Sequence, residues 1–340
     1  MTLLYNQGGV LLLDKRQMLI ATIVALVVFG TFGCISEEQP NEAVFVYGQP
    51  TTIAAAPLII ANEKGFWKES GLNVQVQRFS AGRLALDATI NGTIQANSVS
   101  ETGPVLAMLS GSKIFIVGTA GKHKETKFIG RKDRGIASAA DLKGKKIATL
   151  PGTNSDYFMY VLLQQNRLSS KDAQIVSMNP PEMISSLTRG DIDGFFAWEP
   201  HIYYAKTQLG ENAIIFEPGE LYNGYHTIIM RQDFVQKNPA QVEKFLEGIL
   251  KAEKFMGQNR DESIQIVAKQ LDMQPKAVEE LWPEYDFSLT LEPGLVDTLN
   301  KEAAWAIDNK VVTTQETPAL DQFVFTTALK NIDANLVSIQ

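Results

Sequence analysis

The chain has 340 residues, is 45% hydrophobic and 20% charged, and sets 31 Lys and Arg against 38 Asp and Glu for a formal net charge of −7. This is a globular composition with length for two domains with real cores, which excludes a disordered, fibrous or polytopic chain. The acidic balance argues against nucleic acid or an anionic membrane surface as partner; the single cysteine, Cys34, excludes an internal disulfide, and no Cys/His spacing resembles a zinc site, so neither metal nor other cofactor is expected.

Asp14, Lys15 and Arg16 precede an uncharged stretch, "MLIATIVALVVFGTF" (Met18 to Phe32), with Gly33 directly before Cys34. Basic flank, short apolar core and small residue is the order of a secretory signal. A comfortable membrane span needs about 20 apolar residues, more than this run offers. Thr31-Phe32-Gly33-Cys34 resembles a lipoprotein processing box, with Cys34 as the lipidated first residue of the mature chain, although Thr31 and Phe32 depart from the usual aliphatic and small residues. An uncleaved amino-terminal helix continuing through Ile35 is the alternative, and a merely buried cysteine a third; Met18 is an alternative start. The first two readings both tether a domain outside the cell. The expected division is a signal peptide over 1–33 and a polar tether over 34–43; losing Asp14, Lys15 and Arg16 leaves a charge of about −8.

From Val44 the chain alternates strands and helices. "VFVYG" reads as a buried strand, "TIAAAPLIIANEKG" as a helix ending at Gly65, and "LNVQVQRF" as a strand with one buried face. "LALDATING" is a helix stopped by Gly92, and "TIQANSVS" the next strand. This interleaving predicts an α/β fold with mostly parallel sheets, whose ligands sit beyond the carboxyl ends of the strands. About 100 residues later the pattern returns. "KIATLPGTNSDYFMYVLLQQN" repeats the order of "VFVYGQPTTIAAAPLIIAN", and "TRGDIDGFFAW" matches "INGTIQANSVS" in its glycine (Gly190, Gly92) and isoleucine (Ile192, Ile94). Two matching units suggest two lobes with a cleft between them.

The carboxyl third reads as helical. Asn238 and Pro239 are placed to cap and start a helix whose Val242, Phe245, Leu246, Ile249 and Leu250 share one face, and further helices are expected around Glu262 to Leu271, Lys276 to Leu281 and Leu295 to Ile307, packed on the first lobe. Trp282, Tyr285 and Trp305 read as core rather than as a ligand platform.

"KGFWKESGLNVQVQRFSAGR", "ADLKGKKIATLPGTNS" and "NPPEMISSLTRGDIDGFFAWEP" resemble signature segments of the substrate-binding proteins of ABC importers, in the subgroup that takes nitrate, sulfonates such as taurine, or thiamine pyrimidine precursors. The likeness runs from about Val44 to Ile332. It implies a two-lobed periplasmic-binding-protein fold of type II, closing by a hinge, with two chain crossings placed near Lys127 to Arg131 and Thr227 to Arg231. Lobe 1 is then 44–127 plus 230–340, and lobe 2 is 128–229. It also implies a monomeric extracytoplasmic receptor that hands its ligand to a membrane permease and its ATPase.

Apart from that resemblance, the loops after the expected strands are polar and most lead into helices, whose amino termini offer free N–H groups to an oxyanion. Gln49, Thr51, Thr52, Ser80, Ser100, Glu101, Thr102, Thr153, Asn154 and Ser155 lie in these loops, either as ligand donors or as helix caps. Arg83, at a strand-to-helix junction, either pairs with an anionic head or faces solvent. Lys122, His123 and Lys124 read as a solvated charge run. Trp198 either covers an alkyl stem or packs under the hinge; Glu199 either receives an amino group or caps the helix that Pro200 starts; His226 is a ligand donor or a structural hydrogen bonder. A pyrimidine-forming enzyme shares this fold, but with no cysteine beyond Cys34, no legible nucleophile–base pattern and no phosphate loop, the chain is expected to be a receptor and not an enzyme. An extracellular sensor domain is the other reading. The ligand expected is a small anion, first an alkyl sulfonate, then nitrate, a bicarbonate-like anion or an aminopyrimidine.

Overall fold

The computed structural model describes residues 5–6, 9–10, 44–314, 316 and 318–339. The signal segment, Cys34 and the tether lie outside the described residues, apart from a short antiparallel pair, β1 (Tyr5–Asn6) and β2 (Gly9–Val10). Everything from Val44 onward forms a separate compact unit. Among the described residues no helix is long and apolar enough to cross a membrane.

The compact unit is built on two sheets. In chain order the strands are β3 (Phe45–Pro50), β4 (Val74–Phe79), β5 (Ala96–Ser100), β6 (Ile114–His123), β7 (Lys127–Arg131), β8 (Lys146–Thr149), β9 (Gln174–Ser177), β10 (Gly194–Ala197), β11 (Ala213–Phe216), β12 (Gly224–Arg231) and β13 (Tyr285–Asp286). One sheet has six strands in the order β13-β6-β12-β5-β3-β4, the other five in the order β11-β7-β10-β8-β9. In each, three strands run parallel (β4, β3, β5 and β9, β8, β10), and the next strand, β12 or β7, pairs antiparallel. The echo in the sequence therefore has a structural counterpart: β3 corresponds to β8 and β5 to β10. Gly92 and Gly190 end the helices before β5 and β10 with φ of 76° and 82°, a left-handed conformation that glycine adopts without a Cβ clash.

Side-chain alternation builds a core on each face of the five-stranded sheet. Phe128, Ile147 and Phe196 point to one face with Phe158 and Leu163 of helix Asn154–Gln165; Ile129, Ala148 and Phe195 point to the other with Met183 and Leu187 of helix Pro180–Arg189. In the six-stranded sheet Phe45 and Tyr47 meet helix Pro239–Gln258, whose Val242, Phe245, Leu246 and Ile249 are all buried. Trp67 stacks on Phe245 at 5.0 Å and donates its indole N–H to the Phe245 carbonyl at 3.0 Å. The helices expected in the carboxyl third are present as Arg260–Leu271, Pro275–Leu281 and Pro293–Asp308. Tyr285 and Trp305 are buried and Trp282 half-buried.

Three local expectations change. The Asn238 side chain does not cap the helix Pro239 begins; its amide donates instead to the Phe234 carbonyl of the preceding helix, at 2.9 Å. The crossings expected near Lys127 to Arg131 and Thr227 to Arg231 lie just ahead of those segments, because β7 is held between β10 and β11 and β12 between β5 and β6. The connections between sheets are 124–126 and 217–223. Finally, Lys122, His123 and Lys124 are not a solvated run: Lys122 pairs with Asp286 and Glu292, His123 is 1% exposed, and only Lys124 projects outward, to Glu220.

Candidate functional site

The loops after β3, β5, β8 and β10 converge between the two sheets and enclose a cavity of about 30 Å³, room for about two water molecules. The first lobe contributes Pro50, Thr52, Gly82, Arg83, Val99, Ser100 and His226. The second contributes Thr153, Asn154 and Trp198, and Glu125 comes from the connection between them. Thr52, Arg83, Ser100, Thr153, Asn154, Trp198 and His226 were expected from the sequence; Glu125 was not.

Two helices begin at this cavity, Gly82–Ile90 and Asn154–Gln165, one from each lobe. Neither has a side-chain cap on its first turn, since Thr153 turns its hydroxyl to the Leu150 carbonyl at 2.7 Å. Their leading N–H groups are therefore available to a negative ligand. Gly82 permits the approach: a Cβ there would meet the Val99 backbone at 3.0 Å. Arg83 is held by Asp87, four residues on, at 3.1 Å, with its guanidinium against Gly152 of the other lobe. A partly exposed arginine spanning two lobes can add charge to either.

Trp198, for which the sequence left two roles open, stands at the cavity between the lobes. It is 5% exposed, walls the cavity, and donates its indole N–H to the Thr51 carbonyl across the lobes at 3.2 Å. Glu199 is committed elsewhere. It accepts from Lys127 at 3.2 Å and from the Tyr203 N–H at 2.9 Å, so it caps the helix His201–Leu209 and does not line the cavity. Burial raises its carboxyl from the ordinary value against the pull of Lys127.

Glu125 is the group the sequence concealed. Its carboxyl is 2% exposed and receives the hydroxyls of Thr52 (2.7 and 2.8 Å to its two oxygens) and Tyr285 (2.8 Å). The neighbouring Lys127 is already taken by Glu199 and by Glu284 at 2.6 Å. Burial pushes the Glu125 carboxyl up to about 8. On its other side stands His123, whose Nε2 lies 3.0 Å from Ser100 Oγ and whose Nδ1 is 4.0 Å from Glu125.

Ser100, His123 and Glu125 thus follow the order of a nucleophile, base and orienting acid, a pattern the sequence did not reveal. The chemistry does not follow. The His123–Glu125 separation is beyond a hydrogen bond, and burial lowers the ring to about 3, so the imidazole is a poor proton acceptor. His226 is likewise kept neutral by burial; its Nε2 lies 3.0 Å from Ser98 Oγ and its Nδ1 has no hydrogen-bond partner. The arrangement suits binding better than acyl transfer.

The other expected residues sit around the cavity rather than on it. Gln49 is buried, Thr51 donates to the Phe79 carbonyl, Ser80 is half-buried, and the Ser155 hydroxyl is buried with no hydrogen-bond partner. Glu101 and Thr102 lie behind it. Glu101 accepts from Tyr222 at 2.7 Å and the Tyr225 N–H at 3.0 Å, while Thr102 donates to Glu302 at 3.0 Å. These contacts hold the connection 217–223 to the first lobe.

The family described as "NMT1/THI5 like" matches residues 52–263. A putative binding protein of Brucella abortus (strain 2308) is 27% identical over 216 residues, covering 62% of this chain and 66% of that one, just under two thirds of its length. A putative aliphatic sulfonates-binding protein of Bacillus subtilis (strain 168) is 25% identical over 268 residues, 77% of this chain and 80% of that one. Among solved structures, the alkanesulfonate-binding protein SsuA from Xanthomonas axonopodis pv. citri, bound to MOPS, superposes with a TM-score of 0.75 at 18% identity, covering 84% of this chain and 98% of that one. The desulfurization enzyme DSZB shares the fold at a TM-score of 0.63 and 17% identity, covering 85% of this chain and 98% of that one, so the fold alone does not separate binding from catalysis.

Proposed function

The chain belongs to the NMT1/THI5-like family, and from that premise we propose that it is the extracytoplasmic solute receptor of an ABC importer, capturing a small anion, first an alkyl sulfonate, between two lobes. The observation that carries this reading is the cavity where two uncapped helix amino termini and Arg83 converge from both lobes. A ligand that touches both lobes favours their closure, whereas one that touches a single lobe does not. The lobes are 44–123 with 224–339, and 127–216, joined by 124–126 and 217–223. Thr52, Arg83, Ser100, Asn154, Trp198 and His226 contact the ligand in this reading, and Cys34 carries a lipid that holds the monomeric receptor near its permease.

The cavity accommodates a group the size of about two waters, so an alkyl sulfonate enters only as the lobes move apart, and the hinge segments must yield for capture. Binding proteins for sulfonates among the relatives support the ligand class. A non-catalytic role is supported by the depressed His123 and its distance from Glu125.

Thermal unfolding of the full chain against ethanesulfonate, taurine, nitrate, bicarbonate and an aminopyrimidine tests this reading. A true ligand at a hundred times its Kd stabilises by about 2.7 kcal/mol, a rise in Tm of several degrees. The expected result is a rise with the sulfonates that exceeds the rise with nitrate. A rise with the aminopyrimidine alone, or with none of the five, overturns the anion assignment.

A further inference from the structure

The floor of the cavity contains an acid where an anion site would be expected to hold a base. Glu125 lines it, is 2% exposed, and touches no cation. An ionised carboxylate there would be buried without a counter-charge and would repel the ligand that Arg83 and the two helix termini attract. We propose, building on the anion reading above, that Glu125 enters the site as a neutral carboxylic acid and donates a hydrogen bond to the captured anion, so that anion and proton are bound together.

Among the groups packed around Glu125, the two hydroxyls that donate to it favour ionisation by themselves, and burial outweighs them. The loop after β3 presents the Thr52 hydroxyl, β13 presents the Tyr285 hydroxyl, and β6 presents a His123 ring that burial keeps uncharged. The charged groups nearby are Glu199 and Glu284, both of which disfavour a further negative charge, and Lys127, which is paired with those two. Across the cavity Arg83 is bound to Asp87 and His226 is neutral. With its carboxyl at about 8, Glu125 carries its proton at neutral pH and loses it in mild alkali. Because only the protonated form accepts the anion, the sign is fixed: affinity is level below about pH 7 and falls tenfold for each unit well above 8. The residue thereby suits an oxyanion whose oxygens only accept hydrogen bonds, such as a sulfonate group or nitrate.

The experiment is calorimetric titration of the full chain with ethanesulfonate and with nitrate, neither of which titrates between pH 6 and 10. Binding at pH 6.5 tests the anion reading; the slope above it tests the proton. The expected affinity loss between pH 6.5 and 9.5 is about thirtyfold, with uptake of close to one proton per anion at pH 9, measured in two buffers of different ionisation enthalpy. Glu125→Gln cannot titrate, so whatever affinity it has at pH 6.5 should stay level up to pH 9.5. A level profile in the wild type, affinity that rises with pH, or the same slope in Glu125→Gln overturns the proposal. Failure of both anions to bind at pH 6.5 overturns the anion reading itself. The proton-uptake measurement needs no variant, so a poorly folded Glu125→Gln leaves the test intact.

Discussion

Replacing Trp198 with alanine is expected to weaken ligand capture on the order of a hundredfold. The indole walls the cavity and also donates to the Thr51 carbonyl of the opposite lobe, so it contributes both to the ligand and to the closed arrangement. Truncating a buried aromatic anchor at a binding centre costs about 2–4 kcal/mol, and about 1.4 kcal/mol corresponds to tenfold in Kd. Only contacts stronger in the closed form than in the open one shift the balance toward capture, and the Trp198–Thr51 bond joins the two lobes. Trp198→Phe retains a wall without the donor and should fall between the two. Titration with ethanesulfonate, on variants whose unfolding shows an intact fold, measures the series; wild-type affinity in Trp198→Ala would place the ligand elsewhere.

The second large effect is a loss of stability between about pH 5 and 8 through the buried acid Glu101, which is paired with Glu302 behind the cavity. Glu101 and Glu302 are both 0% exposed. Burial raises Glu101 to about 7, and burial together with repulsion from Glu101 raises Glu302 further. An acid raised on folding contributes stability that is complete below its unfolded value, near 4.5, and is lost as pH rises through its folded value. Glu101 alone corresponds to a loss of about 2–3 kcal/mol between pH 5 and 8, or roughly 3–5 °C in Tm for a unit of this size. Asp133, Asp141, Asp172 and Asp233 cannot mask this. Hydrogen bonds from Arg131, the Ala137 N–H, the Ser169 N–H and Arg231 hold them below the ordinary value, so their contribution is lost only in acid. Glu125, Glu199 and Glu284 shift upward like Glu101 and add a background slope of the same sign, whereas burial holds His123, His201 and His226 below the ordinary value, so they gain stability as pH rises to about 6.5; the pair is therefore read from the difference between wild type and a variant. Glu101→Gln removes the titrating acid while keeping an acceptor for the Tyr225 N–H, and should lose less stability than wild type between pH 5 and 8. Parallel melting curves for the two proteins would remove the pair from the account.

The parts of this molecule legible in the sequence are those fixed by local pattern. The apolar runs in "VFVYG" and "GFFAW" correspond to the buried strands β3 and β10, and the repeated glycines Gly92 and Gly190 both sit at left-handed φ. Polar loops at strand ends follow from the same topology, and seven residues singled out there line the cavity. What escaped was decided by partners far along the chain. Glu125 sits in "KHKETK", which reads as a hydrated run, yet it is buried by Thr52 and Tyr285, 73 and 160 residues away. The available signal was that the buried strand β6 runs on through Lys122 and His123 to the lobe crossing. Glu199 shows the same limit: whether it faces a ligand or a helix end was settled by Lys127, 72 residues earlier. The crossings, expected near β7 and β12, fall just ahead of them, because where each strand joins its sheet depends on neighbours that local pattern does not reveal.

The central claim is that the ligand lies between the two lobes, and a crystal structure of the full chain grown with ethanesulfonate tests it most directly. The account expects the sulfonate oxygens at the amino termini of helices Gly82–Ile90 and Asn154–Gln165, with Arg83 and Trp198 in contact and Glu125 within hydrogen-bond distance. A sulfonate seated instead in the separate groove of about 440 Å³ lined by Tyr160, Gln164, Trp305 and Asn309 would contradict it.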